Sequence, residues 1–286
     1  MSHWESLPFF VQDTLFFLLP VNNIILLCRL GILNCGQDIK DFTGNHSFWR
    51  QYYQRNPYEY IKYELGDEGE NNDPDDILVK AAELGILLAV REAVNKGADI
   101  HVLDDEAVSL AAKNGHLEVV EYLFSLGADI HANNNEAVSL AATNGHLEVV
   151  KFLVERGADI HAENNDEAVS EAAKNGHLVI VEYLVEKGAD IHAFNNEAVR
   201  EAAYFGHLEV VKFLVERGAD IHAKNNEAVS EAAANGHLVI VKYLVSIGAD
   251  IHAFNNEAVR LAAKNSHLEI VEYLVENGAN KINYSC

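Results

Sequence analysis

Histidine is the residue type in this sequence best suited to chemistry, because imidazole binds metals and exchanges protons near neutral pH. There are fourteen of them. Twelve fall into two columns. His101, His131, His161, His192, His222 and His252 form one, and His116, His146, His177, His207, His237 and His267 form the other. Packed helices lie roughly 8–10 Å apart, whereas nitrogen ligands sit about 2.0–2.1 Å from a shared zinc. Adjacent members of a column therefore do not share an ion easily. Their regular recurrence points to scaffold histidines bonded to backbone at turns. Charging all fourteen would offset much of the formal net charge of −23, so the stability of the chain is expected to respond to pH.

Other chemistry is poorly represented. Cys28, Cys35 and Cys286 form no Cys-x-x-Cys pair and no disulfide framework, which favours a reducing, intracellular compartment. There is no Gly-rich phosphate loop. Serines such as Ser139 and most of the glutamates recur in successive copies, whereas an active site needs one unlike constellation. No catalytic residue, metal site or cofactor is expected. Acidic residues outnumber basic ones 44 to 21, so neither nucleic acid nor an anionic membrane surface is an expected partner. No apolar run approaches the roughly 20 residues of a membrane span. The apolar N-terminus is broken by Asp13, Pro20 and Arg29 and lacks the basic start of a signal peptide.

The histidines are positioned by an internal repeat. Gly-Ala-Asp, with Asn in the last copy, begins at Gly97, Gly127, Gly157, Gly188, Gly218, Gly248 and Gly278; the spacing is 30 residues except for one interval of 31, which contains the extra Asp166. This makes seven units over about residues 74–286. Each unit reads as two short helices. In the copy near Asn135, that residue is a suitable N-cap and Glu136 complements the helix dipole. Ala137, Val138, Ala141 and Ala142 supply a thin apolar stripe, and Gly145 suits a left-handed stop. Leu147, Val150, Leu153 and Val154 line the second helix, which Gly157 ends. Neither helix buries its stripe alone; stacked units close a common core.

The segments Asn144-Gly145-His146-Leu147-Glu148-Val149-Val150 and Gly157-Ala158-Asp159-Ile160 resemble the ankyrin repeat family, over about three quarters of the chain. The resemblance implies an all-α helical solenoid of about seven repeats that binds proteins on its concave face. Two features depart from the family. The period is 30 rather than about 33, which shortens the hairpin after Ala162 to a tight turn. Glu136-Ala137-Val138-Ser139 replaces the family's Thr-Pro-Leu-His. The short, Asn-rich units also resemble those of giant DNA viruses, which would put the protein in a host cytoplasm or nucleus.

Residues 1–62 are of another kind, with five acids, five bases and no repeat; residues 63–73 add five acids and no base and read as an acidic linker. Leu7-Pro8 and Leu19-Pro20, twelve residues apart, precede two helical patterns, and Trp49 follows. The pattern resembles an F-box, a three-helix module that docks on a Skp1-type adaptor of a cullin ubiquitin ligase. Phe10 departs from it, standing where the family has an acid. The resemblance implies that Leu7, Pro8, Val11, Leu15, Leu19, Pro20, Ile24 and Trp49 form the docking and core surface. The alternative is a three-helix cap on the array. Ile86 and Leu88, apolar where most units carry His and Glu, suggest that the first unit is covered.

Specificity is expected where units differ. The residue after Ile-His-Ala varies and is Phe194, Lys224 and Phe254 in three of them; Tyr204-Phe205 stand where other units have pairs such as Lys113-Asn114. Glu171, Glu201 and Glu231 replace Leu, with Arg200 and Arg260 close by. Phe194, Tyr204, Phe205 and Phe254 are expected to cluster as binding anchors for a protein client, with Arg200, Glu201, Glu231 and Lys224 beside them.

Overall fold

The structure, a computed structural model, describes residues 58, 61, 73–161 and 167–280. The chain divides into two compact units, Met1–Asn72 and Asp73–Cys286. In the first, Tyr58 and Ile61 are helical and buried. The F-box-like helices, the adaptor-docking residues, most of the acidic linker and any cover over the first repeat lie outside the described residues.

In the second unit the described residues form seven helix pairs. Repeat 1 contains α1 (Pro74–Glu83) and α2 (Leu87–Asn95); repeat 2, α3 (Val102–Lys113) and α4 (Leu117–Leu126); repeat 3, α5 (Ala132–Thr143) and α6 (Leu147–Glu155). Repeat 4 contains α7 (Glu167–Lys174) and α8 (Leu178–Glu186); repeat 5, α9 (Ala193–Phe205) and α10 (Leu208–Glu216). Repeat 6 contains α11 (Ala223–Ala234) and α12 (Leu238–Ser246), and repeat 7, α13 (Ala253–Lys264) and α14 (Leu268–Glu276). The result is an all-α solenoid. No helix among the described residues is long and apolar enough to cross a membrane.

The core follows the repeat. Alanines such as Ala141, Ala142, Ala172, Ala173, Ala202 and Ala203 are wholly buried between first helices, and Val150, Leu153, Val181, Leu184, Val211 and Leu214 are wholly buried beneath the second helices. A methyl side chain keeps two helix axes close, whereas Val and Leu hold them apart. First helices accordingly pack against each other more extensively than second helices do. The first-helix side is therefore the tighter, inner wall.

The shortened connection is a left-handed turn of three residues. Asn133, Asn134 and Asn135 have φ of 47°, 59° and 64°, and the same conformation recurs at Leu103–Asp105, Phe194–Asn196, Lys224–Asn226 and Phe254–Asn256. Left-handed backbone costs an L-residue about 1–2 kcal/mol, least for Asn and Asp, which accounts for the Asn-rich text. Asn135 is not the helix N-cap that its position suggests. It is buried, and its Oδ1 accepts the backbone N–H of Asp159 in the next repeat at 2.8 Å. Asp105, Asn196 and Asn226 make the same bond to Asp129, Asp220 and Asp250 at 2.7–2.8 Å. At these joints the missing hairpin is thus replaced by one side-chain bond.

Candidate inner-wall binding site

The histidine columns are built into the scaffold. In the first, Nδ1–H donates to the turn residue four positions on, as in His131 to Asn135 Oδ1 (2.9 Å), His192 to Asn196 Oδ1 (3.0 Å) and His222 to Asn226 Oδ1 (2.9 Å). His101 faces Asp105 instead, at 3.1 Å, and this carboxylate holds the His101 pKa above its usual value. In the second column Nε2–H donates to a main-chain carbonyl of the preceding repeat. His207 reaches Lys174 at 2.9 Å, His237 reaches Tyr204 at 2.8 Å and His267 reaches Ala234 at 3.0 Å. Each ring also lies over a glycine of the preceding repeat. At Gly206, where φ is 89°, an added Cβ would stand 2.6 Å from the His237 ring. Ser266 occupies the equivalent left-handed position in the last repeat of this sequence, at φ 65°. Among the described residues, no group of three or more His, Cys, Asp or Glu side chains could hold a metal ion.

The expected contact residues are distributed along the inner wall rather than gathered in one patch. Phe194 and Phe254 are 49% and 62% exposed, each at the first position of a left-handed turn. They are two repeats apart, about 20 Å at the usual helix spacing. Lys224, at the equivalent position in the intervening repeat, is also exposed, and its Nζ is 3.8 Å from Glu227. Tyr204 and Phe205 close the other end of α9; both are exposed, and their ring centroids are 4.7 Å apart. In four other repeats an Asn stands where Phe205 does and bonds the carbonyl four residues back, as Asn175 does to Glu171 and Asn235 to Glu231. Phe205 cannot make that bond and presents an aromatic ring instead.

Arg200 does not serve as an exposed contact. It is 6% exposed, and its guanidinium donates to the carbonyls of Asn195 and Phe194, both at 3.1 Å, and to Glu227 of the next repeat at 2.5 Å. It ties down the turn that carries Phe194. Arg260 has the same place in repeat 7 but is exposed, and Glu257 of its own helix lies 3.9 Å away. Arg200 differs in having Glu227 of the next repeat beside it.

Between α7 and α9 lies a groove of about 250 Å³, lined by Glu167, Glu171, Lys174, Phe194, Glu197 and Glu201, with Ser170 at its floor. Lys174 pairs with Glu171 at 2.9 Å. Partial burial pushes the Glu201 carboxyl above the usual carboxylate range, and Glu197 pushes it further. Glu231 on α11 is raised for the same reason, with Glu227 and Glu257 adding to it. Glu197 and Glu227 were not singled out from the sequence. They occupy a glutamate position shared by most repeats, so departure from the pattern does not reveal them. The (i, i+4) step from Glu197 to Glu201 does.

The sequence matches the family model described as ankyrin repeats (three copies) over residues 54–134, 78–164, 138–225 and 201–285. No curated protein matches the chain.

Proposed function

Because this chain belongs to the ankyrin repeat family, we propose that it is a non-enzymatic recognition protein whose inner wall, centred on repeats 4 to 6, holds a partner protein. One observation carries this reading: Tyr204 and Phe205 stand exposed at a helix end where repeats 2, 3, 4 and 7 place polar pairs such as Lys113-Asn114. Exposed aromatic side chains are typical binding anchors, since they bury much area with few rotatable bonds. The backbone beneath them is fixed by the bond from His237 to the Tyr204 carbonyl. The test is affinity capture from cell lysate with the intact chain and with Tyr204→Lys/Phe205→Asn. These replacements copy residues used in other repeats, so the fold should persist. Loss of the captured partner at an unchanged melting temperature supports the reading. Capture that is unaffected contradicts it.

A finer reading is that the protein is a substrate receptor, with its first module joining the client to a ubiquitin-ligase adaptor. The spacing of Leu7-Pro8 and Leu19-Pro20 and the late Trp49 support it. A pull-down with a Skp1-type adaptor, comparing the intact chain with Leu7→Ala/Pro8→Ala, tests it. If neither form binds, the alternative remains: an ankyrin scaffold or decoy whose first module only caps the array.

A further inference from the structure

Repeat 5 departs from its neighbours at the two ends of α9, at Phe194 and at Tyr204-Phe205, and shares with them the glutamates between. Phe194 lies at its start, Glu197 and Glu201 in its middle, and Tyr204-Phe205 at its end. Glu197, Glu201 and Tyr204 are spaced i, i+4 and i+7, which places them on one helical face. From Glu197 to Tyr204 the helix advances roughly 10 Å, at about 1.5 Å per residue, and Phe194, in the left-handed turn before it, lines the same groove as Glu197 and Glu201. The surface is thus apolar at both ends and anionic between.

The anionic part is only partly compensated: Lys174 and Arg200 act on Glu201 from a distance, against burial and Glu197. The groove beside it has four glutamates and one lysine, and that lysine is engaged by Glu171. Among the described residues no cationic group lies within ion-pair distance of Glu197 or Glu201. Where Glu201 stands, repeats 2, 3 and 7 have Leu110, Leu140 and Leu261. A half-buried carboxylate in place of a leucine, without a cation at ion-pair distance, opposes stability. An incoming cation would relieve that penalty.

Resting on the recognition role proposed above, we infer that the α9 stripe docks an extended segment of a partner protein in which a lysine or arginine lies between two apolar residues, in the pattern apolar–x–basic–x–apolar. In an extended chain, residues i, i+2 and i+4 share one face and span about 13 Å at roughly 3.3 Å per residue. The two apolar side chains would meet Phe194 and the Tyr204-Phe205 pair, and the basic one would lie over Glu197 and Glu201. Charge complementarity selects this occupant: an acidic segment would add like charge to a groove that has four glutamates against one lysine.

The test selects peptides from a displayed random library on the immobilised full chain. It then measures a labelled peptide with the core Leu-Ser-Arg-Ser-Leu against the same peptide with Glu for Arg. The inference expects a basic, apolar-flanked consensus and at least about a tenfold preference for the Arg peptide, which corresponds to about 1.4 kcal/mol. It also expects Glu201→Leu to weaken the Arg peptide about fivefold or more, and added salt to weaken its binding to the unmodified chain. Both Glu201→Leu and Tyr204→Lys/Phe205→Asn replace a residue by one found in other repeats, and a melting curve confirms that each is folded. An acidic or purely apolar consensus that is lost on Tyr204→Lys/Phe205→Asn would overturn this inference and leave the recognition role standing. Binding indifferent to all of these substitutions would overturn both. An empty selection would overturn the inference alone, with lysate capture judging the broader role.

Discussion

His237 Nε2–H donates to the carbonyl of Tyr204 at 2.8 Å, so a histidine of repeat 6 fixes the backbone that carries the most distinctive aromatic pair of repeat 5. The same ring lies over Gly206. One side chain therefore joins two repeats, holds an exposed binding element in place, and requires glycine beneath it.

Replacing Gly206 by Ser should be much costlier than restoring Gly at Ser266. The first change forces a side chain into a left-handed backbone at φ 89° and into the His237 ring. The second only relieves a left-handed serine in the last repeat of this sequence. Urea denaturation should show a loss of about 1–3 kcal/mol for Gly206→Ser, the usual range for overpacking. Ser266→Gly should gain under about 1 kcal/mol. Equal and small effects would mean that the ring-on-glycine contact does not constrain the joint.

Asn226→Ala should remove the bond that replaces a hairpin between repeats 6 and 7. Its buried Oδ1 accepts the Asp250 N–H at 2.8 Å, and the His222 Nδ1 lies 2.9 Å from it. Leaving a buried donor without an acceptor costs about 1–3 kcal/mol. Ala also loses the tolerance of Asn for left-handed backbone. Hydrogen exchange at the Asp250 amide should accelerate more than exchange at the equivalent Asp159 amide. Uniform acceleration along the array would argue against a local joint.

The repeat itself, its two-helix unit and the closeness of the first helices were legible in the sequence, because periodic alanines, valines and glycines state the packing directly. The left-handed turn was only half legible. The missing residues pointed to a tight turn, but Asn135 read as a helix cap because N-caps and left-handed turns favour the same side chain. Its real partner lies 24 residues on, beyond the reach of local patterns. Arg200 was misplaced for a similar reason. A charged residue that interrupts a pattern reads as surface, whereas Glu227 of the next repeat and two carbonyls of its own turn allow it to be buried. The four aromatics were found correctly as exposed rings, but repeat spacing keeps Phe194 and Phe254 apart.

Glu201→Leu should stabilise the chain at neutral pH, and the gain should shrink as pH falls. Burial raises the folded-state pKa of Glu201 above its unfolded value. The folded state therefore binds the proton more tightly, and the stability associated with this group is lost as pH rises through the raised folded value. At neutral pH the wild-type chain carries the full penalty of a charged, half-buried carboxylate; below the unfolded pKa it carries the least. Urea midpoints of the two proteins should converge between pH 7 and pH 4. A constant difference across that range would contradict the assignment.

His101 should titrate above the usual histidine range, about 6.5, because Asp105 bonds its ring. The sign is the same as for Glu201, whose pKa is also raised in the folded state. The His101–Asp105 interaction contributes fully below the unfolded histidine pKa and is lost as pH rises through the folded one. Asp105→Asn, which makes this joint like its neighbours, should lower the His101 pKa in an NMR titration and flatten this part of the stability profile. An unchanged His101 titration would contradict the pairing.

The central claim is that the inner wall of repeat 5 recognises another protein through aromatics mounted on an otherwise regular stack. The most direct measurement compares partner capture and thermal melting for the intact chain and Tyr204→Lys/Phe205→Asn. The account predicts melting curves that agree within about 0.5 kcal/mol of stability, as for ordinary surface changes, with the partner lost. Retained capture, or a collapse of stability showing these rings to be core, would contradict it.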